Sequence, residues 1–285
     1  MRLPMQQQQP SLIADNPRFT NAGDAFAKLC RILATLRAPG GCAWDRKQTL
    51  DTLKAHLLEE TFEALDALDQ KDLANLREEL GDVLLQIVFQ SEICHEDNTF
   101  SVTDVIESIC SKLIRRHPHV FGDKKADSAE EALTRWEDVK ALERLEHKKP
   151  AGALHGVPRQ MPALLRAYRT SEKAAAVGFD WPDADDSKAK IYEELLEIEE
   201  ARCAQNADAL EDEVGDTLFA LVNYARHLGV EPEAALRRTI QKFHDRFEHM
   251  EHAASQQERT LKDMTLPEMD VLWEQAKRLS RKSPH

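Results

Sequence analysis

The stretch 77-REELGDVLL-85 decides how the chain is read. Glu79 and Asp82 stand three apart inside an apolar run, with Gly81 between them. Residues i and i+3 share a helix face, so both carboxylates project the same way, beside a stripe of Leu80, Val83, Leu84 and Ile87. A mid-helix glycine costs about 1 kcal/mol relative to alanine, so the charges and the glycine together call for a reason.

Sliding the sequence along itself supplies one. Just upstream, 59-EETFE-63 contributes Glu59, Glu60 and Glu63. The five acids recur as Glu193, Glu194, Glu197, Glu213 and Asp216, each displaced by 134 positions. The likeness runs beyond the acids, with GDVLLQIVF against GDTLFALVN. In the same order, 42-CAWD-45 matches 177-VGFD-180, and Lys112 with Arg116 matches Lys242 with Arg246, both as KxxxR. Finally 136-WEDVK-140 matches 273-WEQAK-277. Matches of several kinds in one order imply an internal duplication.

Helix formers dominate, and 10 glycines with 12 prolines in 285 residues are few, which predicts an all-α fold of two duplicated helical-bundle domains. Helices are expected at about 22–37, 49–69, 73–96, 102–117 and 128–147, then at 162–176, 186–205, 207–228, 232–254 and 266–281. Residues 1–20 read as a disordered tail, 21–147 as the first domain, 148–161 as a linker and 162–285 as the second domain. The N-terminus makes a poor signal peptide, and no apolar run approaches the roughly 20 residues of a membrane span. Five cysteines without a CxxC pair suit reduced thiols in a cytoplasm. A formal net charge of −13 argues against nucleic acid as a partner, because there is no overall positive field to exchange for counterions.

The short loops centred on 69-DQKD-72 and 205-QNAD-208 make the two acid-bearing helices of each half antiparallel neighbours, which sets EExxE opposite ExxD. Carboxylates about 6 Å apart repel by roughly 3 kcal/mol at an effective dielectric of about 20, and a cation removes that penalty. Oxygen donors without histidine or thiolate favour a hard ion, Mg²⁺, with Mn²⁺ as a substitute. On this reading Gly81 and Gly215 let the facing helix come close. An isolated ExxD is most often a solvated face; recurrence of both motifs at one spacing, beside apolar residues, argues for a site.

Each KxxxR pair reaches one side of its helix and suits a phosphate shared with the cation. Trp136 and Trp273 suit either stacking on a base or a structural role. Tyr192 and Asn223, near the second acid set, read as packing or supporting residues. The 117-HPH-119 stretch reads as a helix end rather than a transition-metal site, and neither a P-loop nor a Ser/His/Asp triad is present.

With these motifs in place, LLEETFEALDAL, LREELGDVLLQIVF, RRHPHVFGD, YEELLEIEEA, EDEVGDTLFALVNYARHLG and QKFHDRFEHM resemble the MazG family in its full-length, tandem-domain form, from about residue 24 to about 281. The resemblance implies Mg²⁺-dependent hydrolysis of nucleoside triphosphates at the α–β linkage, giving monophosphate and pyrophosphate, in nucleotide-pool sanitation or stress regulation. It also implies a cytoplasmic homodimer; a stress-regulator protein partner belongs instead to the scaffold alternative below. Carried over by position, Glu194, Glu197, Glu213 and Asp216 would hold metal in the second half, and Glu60, Glu63, Glu79 and Asp82 in the first. Lys242, Arg246 and Trp273, with Lys112, Arg116 and Trp136, would contact substrate. Family members can carry a lysine shortly before the third of those second-half ligands, where 206-NADALEDE-213 has Ala209.

The expected mechanism is metal-assisted hydrolysis, with Glu193 or Glu59 as the base that accepts the proton of water. Pro118 interrupts the basic segment of the first half, which points to the second as the main catalytic site. Two other classes stay open: a pyrophosphatase for one nucleotide, dUTP or phosphoribosyl-ATP, and a non-catalytic metal-binding helical scaffold.

Overall fold

A computed structural model describes residues 17–122 and 152–280, with Ser128, Glu131, Ala132, Arg135 and Val139 between them. Trp136, residues 1–16 and most of the helix expected over 128–147 lie outside the described residues. The chain divides between Lys149 and Pro150 into two compact units, and among the described residues all regular structure is helical.

The first unit contains α1 (Pro17–Arg37), α2 (Leu53–Gln70), α3 (Leu73–Glu96), α4 (Val102–Arg116) and the short α5 (Pro118–Phe121). The second contains α6 (Ala163–Ala175), α7 (Ala184–Cys203), α8 (Ala207–His227), α9 (Pro232–Ser255) and α10 (Leu266–Ser280). In each, the acid-bearing helices form an antiparallel hairpin, α2 with α3 and α7 with α8.

The two hairpin loops are built alike. Lys71 adopts φ 58 and Gln205 φ 54, both left-handed, and the next residue caps the following helix. Asp72 accepts from the N–H groups of Ala74 and Asn75 at 3.0 and 3.1 Å, and Asn206 from Ala209 at 3.2 Å. A left-handed residue followed by an Asx cap ends one helix and starts the next within a few residues, which forces the chain back on itself.

Some boundaries differ from expectation. Helix α1 begins at Pro17 rather than 22, so residues 17–20, read as tail, are helical; proline is favoured at a first helical position. Helix α2 begins at Leu53 rather than 49, because Thr49 and Thr52 trade hydrogen bonds, each N–H to the other's hydroxyl at 2.9 and 3.2 Å, in a turn that competes with the helix. Helix α7 starts at Ala184 rather than 186, where Asp183 accepts from two amide groups at 2.9 Å. It ends at Cys203 rather than 205, since Gln205 turns left-handed. The HPH stretch ends a helix as expected: α4 stops at Arg116 and α5 restarts at Pro118.

The first unit buries Leu33, Leu53, Val88, Phe89 and Ile93 as one apolar cluster joining α1, α2 and α3. Beside it, Arg37 donates to both oxygens of Glu96 at 2.7 and 2.6 Å and to the Asp45 carbonyl at 2.6 Å, with its guanidinium over the Phe89 ring. Such forked, charge-assisted pairs fix orientation as well as energy. All five cysteines are free thiols, and no helix among the described residues is long and apolar enough to cross a membrane.

In the second unit, α9 and α10 close over Met250, Ala254 and Leu272. Glu268 begins α10. It accepts from the Thr265 N–H and hydroxyl at 2.7 and 2.8 Å and from Arg259 at 2.8 Å. Hydrogen bonds from Arg259, then from Thr265, push its carboxyl from 4.5 down to about 2. A depressed folded value contributes stability that is present above the unfolded pKa and is lost as pH falls through the folded one. Glu268→Gln is therefore expected to flatten the acid limb of urea stability between pH 4.5 and about 2. An unchanged acid limb would show that the contact does not persist in solution.

Candidate active site

The hairpins bring together acids that lie apart in sequence. In the first unit Glu60, Glu79 and Asp82 each place one carboxylate oxygen within 4.8 Å of the others. Glu194, Glu213 and Asp216 do the same in the second. Glu63 lies close enough to Glu79, and Glu194 to Glu197, to raise the neighbour's carboxyl, so Glu63 and Glu197 stand beside their triads rather than within them.

Crowding raises several of these carboxyls. Desolvation and then the neighbouring Asp82, Glu63 and Glu59 push Glu60 up, against a small opposing effect of His56. Desolvation, followed by the charge and hydrogen bond of Glu63, raises Glu79. The hydrogen bond to Glu194 raises Glu197, helped by desolvation. Like charges held together in this way are what a bound cation relieves.

Glu194 is the buried member, 4% exposed, and its Oε2 has no hydrogen-bond donor. A buried carboxylate oxygen facing two other carboxylates, with no thiolate or imidazole in the set, fits a hard divalent cation. The glycines do not play the part expected of them. A Cβ added at Gly81 or Gly215 would meet nothing within 4 Å. At 100° per residue Gly81 points about 130° away from the direction midway between Glu79 and Asp82, so it lies off the acid face. It borders instead the exposed stripe of Leu80, Leu84 and Ile87, which recurs 134 positions on as Val214, Leu218 and Leu221.

Glu59 and Glu193, expected as the proton acceptor, stand outside the two triads with exposed side chains. Glu59 lies 3.6 Å from His56 Nδ1, and Glu193 accepts from Lys190 Nζ at 2.8 Å. Lys112 and Arg116 sit half-buried on the last turns of α4. Lys242 is exposed on α9, while the Arg246 guanidinium lies over the Trp273 ring at 5.6 Å and Phe243 packs on the same ring at 5.2 Å.

Next to the second triad the structure opens a cavity of about 660 Å³. Lys190, Glu194 and Asp216 are among its lining residues. Asp180, Ser171, Ser187 and Asn223 also line it, among largely apolar neighbours that include the exposed rings of Phe179 and Trp181. Lys242, Arg246 and Trp273 are not among the lining residues.

Lys190 was missed by the motif reading. Its ammonium bridges Glu193 and Glu194 at 2.8 and 2.6 Å, and those two hydrogen bonds hold its pKa well above the ordinary lysine value. The signal was available: Lys190 precedes Glu193 and Glu194 by three and four residues, the spacing of one helix face. Arg226 was also missed. It pairs with Asp180, and His227 Nε2 approaches the same carboxylate at 3.1 Å. Burial alone would raise the Asp180 carboxyl, and the hydrogen bond and charge of Arg226 more than reverse this, leaving it lowered.

Against this geometry, the family model for the MazG nucleotide pyrophosphohydrolase domain matches the chain twice, over residues 48–121 and 184–251. The chain is 44% identical over 256 residues to the nucleoside triphosphate pyrophosphohydrolase/pyrophosphatase MazG of Thermotoga maritima, covering 90% of this chain and 97% of that protein. It is 43% identical over 254 residues to the nucleoside triphosphate pyrophosphohydrolase of Escherichia coli K12, covering 88% and 96%. A crystal structure of a mazG-related protein from Thermotoga maritima aligns with 40% of this chain and 98% of its own, at 31% identity and a TM-score of 0.36. Two domain matches and full-length relatives at this identity place the chain in the MazG nucleotide pyrophosphohydrolase family.

Proposed function

We propose that this protein hydrolyses nucleoside triphosphates at the α–β phosphoanhydride, adding one water and releasing a nucleoside monophosphate and pyrophosphate. The observation that carries this reading is the second carboxylate triad opening onto a cavity of about 660 Å³, in a chain of this family.

Glu194, Glu197, Glu213 and Asp216 would hold Mg²⁺, with Mn²⁺ as a substitute; Glu60, Glu63, Glu79 and Asp82 offer the same set in the first unit. When bound, the cation would neutralise phosphate charge and acidify water. Glu193, exposed and beside the triad, would take the proton of the attacking water on a carboxylate oxygen, and Glu59 is its counterpart. With a cation as counter-charge to Glu194, Lys190 would keep its bond to Glu193 and turn its other N–H donors toward phosphate oxygens. Lys190 would thus supply a cationic phosphate contact where Ala209 offers none. Lys242 and Arg246 would meet the outer phosphates after a side-chain movement, and Lys112 with Arg116 would do so in the first unit.

The exposed stripe on each ExxD helix supports a homodimer, since apolar faces of this kind are covered in stable assemblies. Reduced thiols support a cytoplasmic setting, and the negative net charge supports a free nucleotide rather than a nucleic acid as ligand. Nucleotide-pool sanitation or stress regulation is the role that fits such an activity.

Product analysis by phosphorus NMR tests the reaction, using a panel of ribo- and deoxyribonucleoside triphosphates with Mg²⁺ and with chelator. Monophosphate and pyrophosphate in equal amounts, only with metal, is the expected result. Diphosphate plus phosphate would mean that another bond is cut. Turnover of one nucleotide alone would favour the single-substrate class, and metal binding with no turnover the scaffold.

A further inference from the structure

We infer that the cavity beside the second triad is the nucleoside pocket, and that Asn223 presents it with hydrogen-bond donors only, so that it reads a carbonyl oxygen on the base. This rests on the triphosphate reading above. If the phosphates sit at Glu194 and Asp216, the nucleoside continues into the space those residues line. About 660 Å³ lies within the roughly 300–1,000 Å³ of small-molecule sites.

Two features mark the cavity as built to be filled. Ser171 and Ser187 line it as residues 5% and 1% exposed, and the buried hydroxyl of each has no hydrogen-bond partner. Buried hydroxyls without partners are destabilising unless a ligand engages them. Asn223 has a fixed orientation. Its Oδ1 accepts from Arg226 Nε at 3.0 Å and Nη2 at 2.9 Å, which uses both lone pairs. Arg226 has no acceptor to offer, so turning the amide over would set NH₂ against guanidinium. Asp180 also accepts from Arg226 Nη2 and so helps to hold the guanidinium in place. What Asn223 has left for a ligand is its NH₂ group.

The duplication supplies an internal control. Subtracting 134 from Ser187 and Asn223 gives Leu53 and Phe89, buried to 1% and 4% in one cluster with Leu33 and Val88. The position of Arg226 becomes Glu92, so the amide clamp is absent as well. The first unit thus keeps its acids and places apolar side chains where the second places hydroxyl and amide groups.

Calorimetry on the full chain tests this, with Mg²⁺ and α,β-methylene triphosphate analogues that resist cleavage. Guanine and uracil analogues, with a carbonyl where adenine and cytosine carry an amino group, should bind the wild type about tenfold more tightly than those two. Asn223→Leu should bring the four within about twofold. Ser187→Leu, or Ser171→Leu on α6, should weaken all four about tenfold or more, with Mn²⁺ binding measured alone unchanged and the circular dichroism native. Wild-type binding that ignores the base, or base preference retained in Asn223→Leu, would overturn the role of Asn223. Undiminished nucleotide binding in both folded serine variants would overturn the pocket. A wild type that binds Mn²⁺ and no nucleotide would instead sink the triphosphate reading, and the pocket with it.

Discussion

Asp216→Asn is expected to lower kcat by about 10³-fold, equivalent to about 4 kcal/mol of transition-state stabilisation, while the circular dichroism stays native. Asp216 is exposed on α8, and asparagine keeps its size while removing the charge. The substitution takes one of three carboxylates that lie within 4.8 Å of each other, so the remaining pair holds a hard cation less tightly and less rigidly. Two readouts separate this from a structural effect. Mn²⁺ affinity, measured without nucleotide, should fall together with turnover. Part of the lost rate should return at high Mg²⁺. A well-folded variant that keeps turnover within tenfold of wild type would remove Asp216 from the metal site, and the triad would then be a surface cluster.

The acids were legible in sequence because helix geometry is short-ranged. A spacing of three or four places side chains on one face, and a loop of two or three residues leaves the next helix little choice but to return antiparallel. The duplication then turned two weak motifs into one strong pattern. What escaped the reading depends on packing between elements distant in sequence. Asp180 and Arg226 are 46 residues apart and meet only because the segment before α7 lies against the end of α8. The cavity is a property of the space among α6, α7 and α8, and no spacing rule encodes a void. Gly81 and Gly215 were misread for a related reason: the sequence shows that the side chain is missing but not which neighbour, if any, comes near. Trp273 suited either base stacking or a structural role by sequence, and the structure sets its ring against Phe243 and Arg246.

Glu79→Gln should stabilise the metal-free protein and abolish part of its response to Mg²⁺, two effects of opposite sign from one substitution. Both follow from the raised carboxyls of the first unit. Desolvation and neighbouring acids push Glu60 and Glu79 above their ordinary value. A folded pKa above the unfolded one contributes stability that is present below the unfolded value and is lost as pH rises through the folded value. At neutral pH this contribution is gone, and the cluster opposes folding. Glutamine removes one of the charges, so in chelator the melting temperature of Glu79→Gln should exceed that of wild type. With Mg²⁺ in hundredfold excess over Kd, a site present only in the folded state gains about 2.7 kcal/mol. For a unit of this size that corresponds to several degrees, and the variant should show a smaller rise. Lowering the pH toward 4.5 in chelator should narrow the gap between the two proteins, because protonation then does in the wild type what glutamine does in the variant. Scanning calorimetry in chelator and in Mg²⁺ decides the matter. A variant less stable than wild type without metal would mean that Glu79 is a structural hydrogen-bonding group, and that the acids of the first unit are held together for a reason other than a cation.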